Sequence, residues 1–476
     1  MTTDNRQLLD VPIAATDLAR TLKPRHVSMI SLGGIIGAGL FVGSSSAIAK
    51  GGPGVIIIYA AVGLLVFLIM RMLGEMAVFR PGLGSFAEYS AMALGPWAGF
   101  LTGWLYWYSW VFILGAETVA GARLLHAEGL NAPVWVISLC MVSVMAVINL
   151  FSVKAYGECE FWLAMIKVSA IVAFIVVGAT FIGFLHPGSA VSTLLGHGGF
   201  LPTGVSGLFA AVPIVLFSML GSEVATIAAA ESADPARNVA RAARTVALRI
   251  LVLFVLTIAI IVSLLPWNSI VVGLSPFKPA LDIIGIPGSS AVMSVIIITA
   301  VLSCLNSGIY ISSRMLHELG TRGDAPRILA GTAGNKVPST GIVIGCCIGF
   351  LAALAQLYMR HDIFTLFVST SGGVQLFVLL IVALAQIRLR RKLDAKGIEL
   401  KFKMWLFPWL SYVVVAGIVC IMIVLAFIPT ERISLVMSGL TFLAVLGATG
   451  LKIRRDRLRA SSGLTQSNVG ASQILG

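Results

Sequence analysis

The chain of 476 residues is 58% hydrophobic and only 11% charged, with a mean hydropathy of +0.98. Soluble globular domains contain about 25% charged residues, so the composition excludes a single water-soluble domain and predicts a polytopic membrane protein. The net charge of +13 would favour a nucleic-acid partner on a soluble domain, but topology explains it better in a membrane protein.

Apolar runs long enough to cross a bilayer predict twelve transmembrane helices. The polar segment 1–25 lacks a signal-peptide layout and is expected to be a cytoplasmic tail, as is the segment 453–476. The predicted spans are 26–46, 53–73, 97–125, 132–153, 160–184, 206–230, 245–266, 289–316, 338–357, 363–387, 405–428 and 432–452.

Lysine and arginine are distributed very unevenly between the two predicted sides. Of 33 such residues, 27 fall in segments on the side of the N-terminus, and Lys167 lies within a span. This asymmetry follows the positive-inside rule, which predicts that both termini are cytoplasmic. Only five lie on the other side, namely Lys50, Arg123, Lys278, Arg360 and Arg432.

The first span is rich in glycine between Gly33 and Gly43. Each glycine costs a helix about 1 kcal/mol relative to alanine. Gly33 and Gly37 form a GxxxG motif that could pack against a neighbouring helix. Because the glycines cover several faces, an unwound segment near the midplane is the preferred interpretation. Its free amides, at Gly37 to Gly39 with Ala38 between them, could bind a carboxylate.

The sixth span contains Pro213 and, further along, Gly221-Ser222-Glu223, which together predict a second break. Gly221 could instead be a packing contact, and Glu223 could form an ion pair with a neighbouring helix. Breaks in spans one and six predict a five-plus-five inverted repeat. The repeats would be 26–184 and 206–387, followed by two peripheral helices at 405–452.

Three ionisable residues, Lys167, Glu117 and Glu223, lie inside predicted spans. Such residues are expensive in a bilayer and usually mark a substrate or ion path. Lys167 could either change its protonation state during a transport cycle or extend towards the inner edge of the membrane. Glu117 could couple protons, contact a substrate ammonium, or form a hydrogen bond as a neutral acid. Glu231 could join an inner gate with Arg241 or Arg244, or be a solvated helix-terminal charge.

Several motifs resemble the bacterial amino acid transporter family of the amino acid–polyamine–organocation superfamily, nearly from end to end. The segments on which this resemblance rests are LKPRHVSMISLGGIIGAGLFVGSSSAIAKGGPG, RMLGEMAVFRPGLGSFAEYS, YGECEFWLAMIKVSAI, FSMLGSEVATIAAAES and SCLNSGIYISSRMLHELGTRGDAP. Within that family, GWLYW, SVKAYGECEFW, IAAAES, LLPWN and MWLFPWL are most similar to γ-aminobutyrate (GABA) permeases.

The resemblance implies a ten-helix inverted-repeat core and proton-coupled uptake. It assigns Gly37 and Gly39 to a substrate-carboxylate loop and Phe217 to an aromatic gate. Lys167 takes the position that a sodium ion occupies in sodium-coupled relatives. The remaining residues are assigned to the break or to the pocket, namely Gly221 and Glu223 at the helix-six break and Ser371 in span ten.

Other polar and aromatic residues in the spans are expected to have mainly structural roles. Asn306 and Ser307 could face the Lys167 region or form interhelical hydrogen bonds. Gln375 in span ten is larger than the apolar residue that the resemblance leads us to expect. Trp104, Tyr106, Trp107, Tyr108 and Trp110 are expected to form an interfacial aromatic belt, with a wall of the pocket as the alternative.

These features predict secondary active uptake of GABA or a related small zwitterion by proton symport in a bacterial inner membrane. Alternatives are an amino acid exchanger and an amino-acid-sensing receptor of the same fold. We find no nucleophile–base or metal constellation, so neither an enzyme nor a cofactor is expected. The expected partners are an amino acid, protons and the lipid bilayer, with no nucleic acid and no obligate protein partner.

Overall fold

The computed structural model describes residues 29, 33–80, 85–186, 188–224, 251–332, 337–358, 363–400 and 402–474. The side chains of 185, 189, 356–358, 363 and 456–474 are not described. Three residues considered for an inner gate, Glu231, Arg241 and Arg244, lie outside this set, as do the N-terminal tail and part of spans one, six and seven.

The described residues form helices and no β-strand. In chain order the α-helices are α1 (Ala38–Phe41), α2 (Gly43–Gly51), α3 (Val55–Phe79), α4 (Phe86–Leu94), α5 (Pro96–Ala127), α6 (Val134–Phe151), α7 (Val153–Thr180), α8 (Ser189–Gly196), α9 (Gly204–Met219), α10 (Leu251–Leu264), α11 (Phe277–Ile284), α12 (Ser289–Thr321), α13 (Ser339–Tyr358), α14 (Ile363–Ala395), α15 (Trp409–Phe427) and α16 (Pro429–Ile474).

Every predicted span overlaps a described helix, which confirms the prediction of a polytopic helical protein. By length and composition, seven described helical segments can cross a membrane: Gly43–Phe79, Val134–Phe151, Val153–Phe184, Ser289–Thr321, Phe364–Ala395, Trp409–Phe427 and Pro429–Arg455. Three shorter apolar helices, Gly204–Met219, Leu251–Leu264 and Ser339–Ala355, correspond to spans six, seven and nine.

Local sequence signals explain where several of these helices begin. The Ser152 side chain accepts a hydrogen bond from the Ala155 amide at 3.0 Å, so α7 begins at Val153 rather than at the predicted residue 160. Pro96 stands at the first position of α5, where its missing amide hydrogen is not needed. The buried helix α5 packs on α4, α12 and α14 at the centre of the bundle.

Both predicted helix breaks are present. Residues 34–37 are irregular between a helical Gly33 and α1, while α9 ends at Met219 and is followed by turns through Glu223. Gly221 has φ +103°, which strongly favours glycine. A Cβ atom on Gly221 would lie 2.5 Å from the Gly34 carbonyl oxygen, so the two breaks cross with their backbones in direct contact.

Ion pairs join segments that the charge distribution predicts to lie on the same side. On the predicted outer side, Lys50 at the end of α2 contacts the buried carboxylate of Glu431 at the start of α16. On the predicted inner side, Lys452 of α16 contacts Asp324, which follows α12. These pairs attach the last peripheral helix to the core at both ends.

The predicted outer side of the first break is covered by α11. Its Phe277 ring is fully buried and lies 4.8 Å from the Phe41 ring centroid and 4.9 Å from that of Phe174. Beside it, Lys278 donates a 2.6 Å hydrogen bond to Glu128, just beyond α5. This bond attaches the covering helix to the centre of the bundle.

We predict that Gly37→Ala destabilises the protein while Gly43→Ala does not. A Cβ on Gly37 would lie 2.5 Å from Glu117 Oε1 and 2.6 Å from Cys304 Cβ, whereas the nearest neighbour of a Cβ on Gly43 is 3.6 Å away. Overpacking of this kind costs about 1–3 kcal/mol. Thermal unfolding of the purified variants measures the difference, and equal melting temperatures would contradict the tight packing described at Gly37.

We also predict that the Glu128–Lys278 pair contributes a pH-dependent stability. Hydrogen bonds from Lys278 and then Ser294 lower the pKa of the Glu128 carboxyl below its ordinary value. The contribution is therefore present at neutral pH and is lost as the pH falls through the lowered pKa of the folded state. For a pair this exposed it amounts to at most about 1 kcal/mol.

The measurement compares the melting temperatures of wild type and Glu128→Gln from about pH 7 to about pH 3. The difference should shrink as the solution is acidified. Glu399→Gln, a change at an exposed glutamate of the predicted inner side, provides the matched control and should show no such trend. A wild-type advantage that stays constant across the range would rule out the pair as its source.

Candidate functional site

Lys167 lies at the first helix break and is fully buried. Because α7 begins at Val153, the lysine is fourteen residues into its helix, or about 21 Å from the end. Its ammonium donates hydrogen bonds to the Gly33 carbonyl, to the Ile36 carbonyl at 2.8 Å and to Ser303 Oγ at 2.7 Å. The structure therefore excludes the interpretation of Lys167 as a lysine that extends to the membrane edge.

These three bonds use all the donors of an ammonium group. The two carbonyls lie at the start and end of the irregular segment, where a continuous helix would have supplied amide donors. Buried carbonyls without a donor are costly, especially in a membrane. The charged side chain from α7 thus compensates for the break in the first helix.

Glu160 is a second buried ionisable residue at this position, and the sequence analysis did not select it. Its side chain is fully buried, and its Oε1 atom is 4.0 Å from the Lys167 ammonium. Ser303 donates to the same oxygen at 2.5 Å and Asn306 donates to Oε2 at 3.3 Å. The spacing of seven residues, which puts Glu160 and Lys167 on one helix face, was a signal that could have identified it.

Glu117, from the middle of α5, reaches the same break from another direction. Both its carboxylate oxygens accept from the Ala38 amide, at 3.0 and 3.1 Å, and the side chain is almost fully buried. Gly37 lies beside the carboxylate, with no room for a Cβ atom. The amide that the sequence assigned to a substrate carboxylate is therefore shown to bind a carboxylate, one that belongs to the protein.

The two breaks are joined by a hydrogen bond from the sixth helix. Ser218 Oγ lies 2.7 Å from the Gly39 carbonyl oxygen and 2.9 Å from the Ile214 carbonyl oxygen, so its single hydrogen is shared between these two acceptors. A Cβ atom on Gly39 would lie 3.1 Å from the ring of Phe217, which is buried. Phe217 thus packs directly against the first-helix segment.

Glu223 stabilises the second break. Its Oε2 atom accepts from the Gly221 amide at 3.1 Å and from Ser222 Oγ at 3.2 Å, while Oε1 accepts from the Tyr106 hydroxyl at 3.2 Å. Tyr106 is fully buried, so its assignment to an interfacial belt is wrong. The Tyr106 hydroxyl on α5 binds the carboxylate that stabilises the second break, and composition alone does not indicate this contact.

A small cavity of about 20 Å³ lies next to Glu223, between α3, α9 and α14. Ser222 and Gln375 also line it, and the side-chain oxygen of Gln375 is buried without a hydrogen-bond partner among the described residues. A volume of this size can hold a single water molecule. Gln375, which is larger than the residue expected at this position of span ten, therefore faces the second break.

Ser371 is fully buried on α14, one turn before Gln375. Its hydroxyl donates to the Ser109 carbonyl of α5 at 3.2 Å. The described hydrogen bond therefore connects Ser371 to α5 and not to either break. The structure brings Gly37, Ala38, Glu117 and Lys167 together at the first break, and places the Glu223 carboxylate at the second.

The comparisons with known proteins agree with this arrangement. The family model described as "Amino acid permease" matches residues 26–457. A γ-aminobutyric acid permease of Bacillus subtilis (strain 168) is 44% identical over 426 residues, which cover 89% of this chain and 91% of that relative. A γ-aminobutyric acid permease of Escherichia coli (strain K12) is 40% identical over 446 residues, which cover 93% and 96%.

A solved structure supports the fold independently. Mhp1, a nucleobase-cation-symport-1 family transporter in a closed conformation with bromovinylhydantoin bound, matches with a TM-score of 0.54. The match covers 93% of this chain and 96% of that one at 13% sequence identity, so it concerns the fold alone. The broken first and sixth helices agree with the predicted inverted-repeat core followed by two peripheral helices. From its matching family model and its relatives, the chain belongs to the amino acid permease family.

Proposed function

We propose that this protein takes up GABA or a related small zwitterion together with a proton, by alternating access. The observation that carries the proposal is the buried Lys167 ammonium, bound to the backbone of a broken helix and separated from solvent. The family assignment supports transport of an amino acid, and the names of the relatives support GABA. The positive-inside pattern supports a bacterial inner-membrane protein with both termini cytoplasmic.

In this proposal the substrate carboxylate binds the amides between Gly37 and Gly39. The support is that Ala38 already donates to a carboxylate, that of Glu117. Two carboxylates cannot both remain charged on one amide donor in a buried site. The arriving substrate therefore requires Glu117 to bind a proton or to leave the amide, which links substrate binding to proton uptake.

The substrate ammonium is assigned to the second break. A broken helix presents carbonyl oxygens that accept from an ammonium, and the Glu223 carboxylate lies among them. Phe217, packed against Gly39, would close the site on the predicted outer side. Ser371 would form part of the wall after a change in its bond to Ser109.

Lys167 is proposed to control the shape of the first break. The ammonium satisfies three acceptors, whereas a neutral amine has one donor fewer and carries a lone pair. Loss of the proton would therefore remove one of the three donated hydrogen bonds and the positive charge, which weakens the contact with the carbonyls of the first helix. One proton crossing about 100 mV releases about 2.3 kcal/mol, sufficient for about 50-fold accumulation of a neutral zwitterion.

We predict that Lys167→Ala abolishes concentrative uptake of GABA. Labelled GABA is given to empty proteoliposomes with an acidic exterior, with and without a protonophore. Wild type should accumulate GABA until the protonophore is added, and the variant should not accumulate it. Lys154→Ala, which removes an exposed lysine near the start of the same helix, is the matched control and should behave as wild type.

The same assay separates the alternatives. Exchange of internal for external substrate without any response to the pH gradient would indicate an exchanger. Binding without flux would indicate a sensing receptor of the same fold. If GABA is not taken up but another amino acid in a competition panel is, the mechanism stands and the substrate changes. Stabilisation of each variant by substrate during heating shows that it is folded.

We predict that Glu117→Gln makes substrate binding independent of pH. In wild type, affinity should rise by up to about tenfold for each unit of pH decrease while Glu117 must be protonated to free the amide. A glutamine side chain is neutral at every pH, so it can leave the Ala38 amide free for the substrate without taking up a proton. Calorimetric titration measures both series, with Glu128→Gln as a control that keeps the wild-type slope. An unchanged slope in Glu117→Gln would refute this role for Glu117.

A further inference from the structure

The hydroxyl of Ser303 stands between the two buried charged groups of α7. We propose that Glu160 receives the Lys167 proton through this hydroxyl, so that the two residues and Ser303 form a relay towards the predicted inner side. This inference rests on the proposed proton-coupled uptake and assigns a role to Glu160 and Ser303. Neither residue is needed to explain how the substrate binds.

The geometry supports a relay rather than a direct transfer. Lys167 Nζ and Glu160 Oε1 are 4.0 Å apart, which is too far for a hydrogen bond. Ser303 Oγ accepts from the ammonium at 2.7 Å and donates to the carboxylate at 2.5 Å. The hydroxyl is already oriented with its own hydrogen on the acceptor and its lone pair towards the donor.

The transfer is balanced without any other reactant. An N–H bond of Lys167 breaks and its electron pair stays on nitrogen, while that proton bonds to Ser303 Oγ. The original hydroxyl proton of Ser303 passes to Glu160 Oε1. The products are a neutral amine, an unchanged serine and a neutral carboxylic acid.

Burial makes the neutral products accessible. Lys167, Ser303 and Glu160 are all fully buried, so the charged pair lacks the solvation that water would provide. In such a site desolvation disfavours both charges, which lowers the free-energy cost of the neutral pair relative to the ion pair. Moving one proton over two short hydrogen bonds removes both charges at once.

Neighbouring groups complete the environment of the relay. Asn306, which bonds Asn149 of α6 at 2.7 Å, donates to the other oxygen of Glu160 at 3.3 Å and can do so in either charge state. Among the residues that the structure describes, the other titratable or charged groups that interact with Lys167, Glu160 or the nearby Tyr156 include Glu117 of α5, Tyr156 and Cys159 of α7, and Cys304, Tyr310 and Arg314 of α12.

The relay has a direction. Glu160 precedes Lys167 by seven residues, so it lies about 10 Å nearer to the start of α7, which the charge distribution places on the inner side. The proton itself moves over the 4.0 Å between Lys167 Nζ and Glu160 Oε1, from the residue deeper in α7 to the residue nearer its predicted cytoplasmic start, and both groups remain buried. The transfer also removes the charge from the ammonium that binds the first-helix carbonyls.

The decisive variant is Glu160→Gln. Glutamine keeps an oxygen that accepts from Ser303, so the position of Lys167 is retained, but it cannot take up a proton. Proton entry into proteoliposomes is followed with a trapped pH indicator, alongside GABA accumulation and GABA counterflow. The relay predicts that counterflow stays within about twofold of wild type while accumulation and proton entry fall to the background of empty vesicles.

Two changes at Ser303 test the hydroxyl separately. Ser303→Ala should reproduce the Glu160→Gln result, and Ser303→Thr, which keeps a hydroxyl, should restore proton entry. Glu160→Gln that still accumulates GABA with proton entry would overturn the relay, as would loss of counterflow and accumulation together in folded protein. Absence of proton-coupled uptake in wild type would instead refute the proposed function, so the two failures are distinguishable.

Discussion

The arrangement of the bundle depends on the interaction between the Lys167 ammonium and the carbonyls of the broken first helix. A helix broken inside a membrane exposes carbonyls that water cannot reach, and here an ammonium from another helix satisfies two of them. The break and the buried charge would each be costly alone. Together, each provides what the other lacks, so a change in the charge of Lys167 is also a change in the stability of the break.

Carboxylates serve the two breaks in a related way. Glu117 accepts from the Ala38 amide at the first break, and Glu223 accepts from the Gly221 amide at the second. In each case a side chain satisfies a backbone donor that a continuous helix would have used. Protein groups therefore bind the backbone donors of the two breaks at the positions where charged substrate groups are proposed to bind.

Much of this structure could be predicted from sequence because the relevant signals are local. Apolar length predicted spans that each overlap a described helix, and glycine or proline inside an apolar run located both breaks. One error arose at a local signal and one at a tertiary contact. The Ser152 cap, which binds an amide only three residues away, lengthens α7 and moves Glu160 from a predicted helix end to the bundle interior, and a capping serine is a signal that the sequence does contain. The contact with Glu223 takes Tyr106 out of the expected belt, and because the two residues are 117 positions apart, composition and periodicity could not identify that pair.

The crossing of Gly34 and Gly221 has a mechanical consequence. Most helices in a protein touch through side chains, whose rotamers can absorb small displacements. Here a backbone carbonyl meets a backbone Cα with no side chain between them. Because no rotamer can absorb it, a displacement of either segment at this point must be matched by the backbone of the other. Glycine at both positions is what lets the two backbones approach this closely.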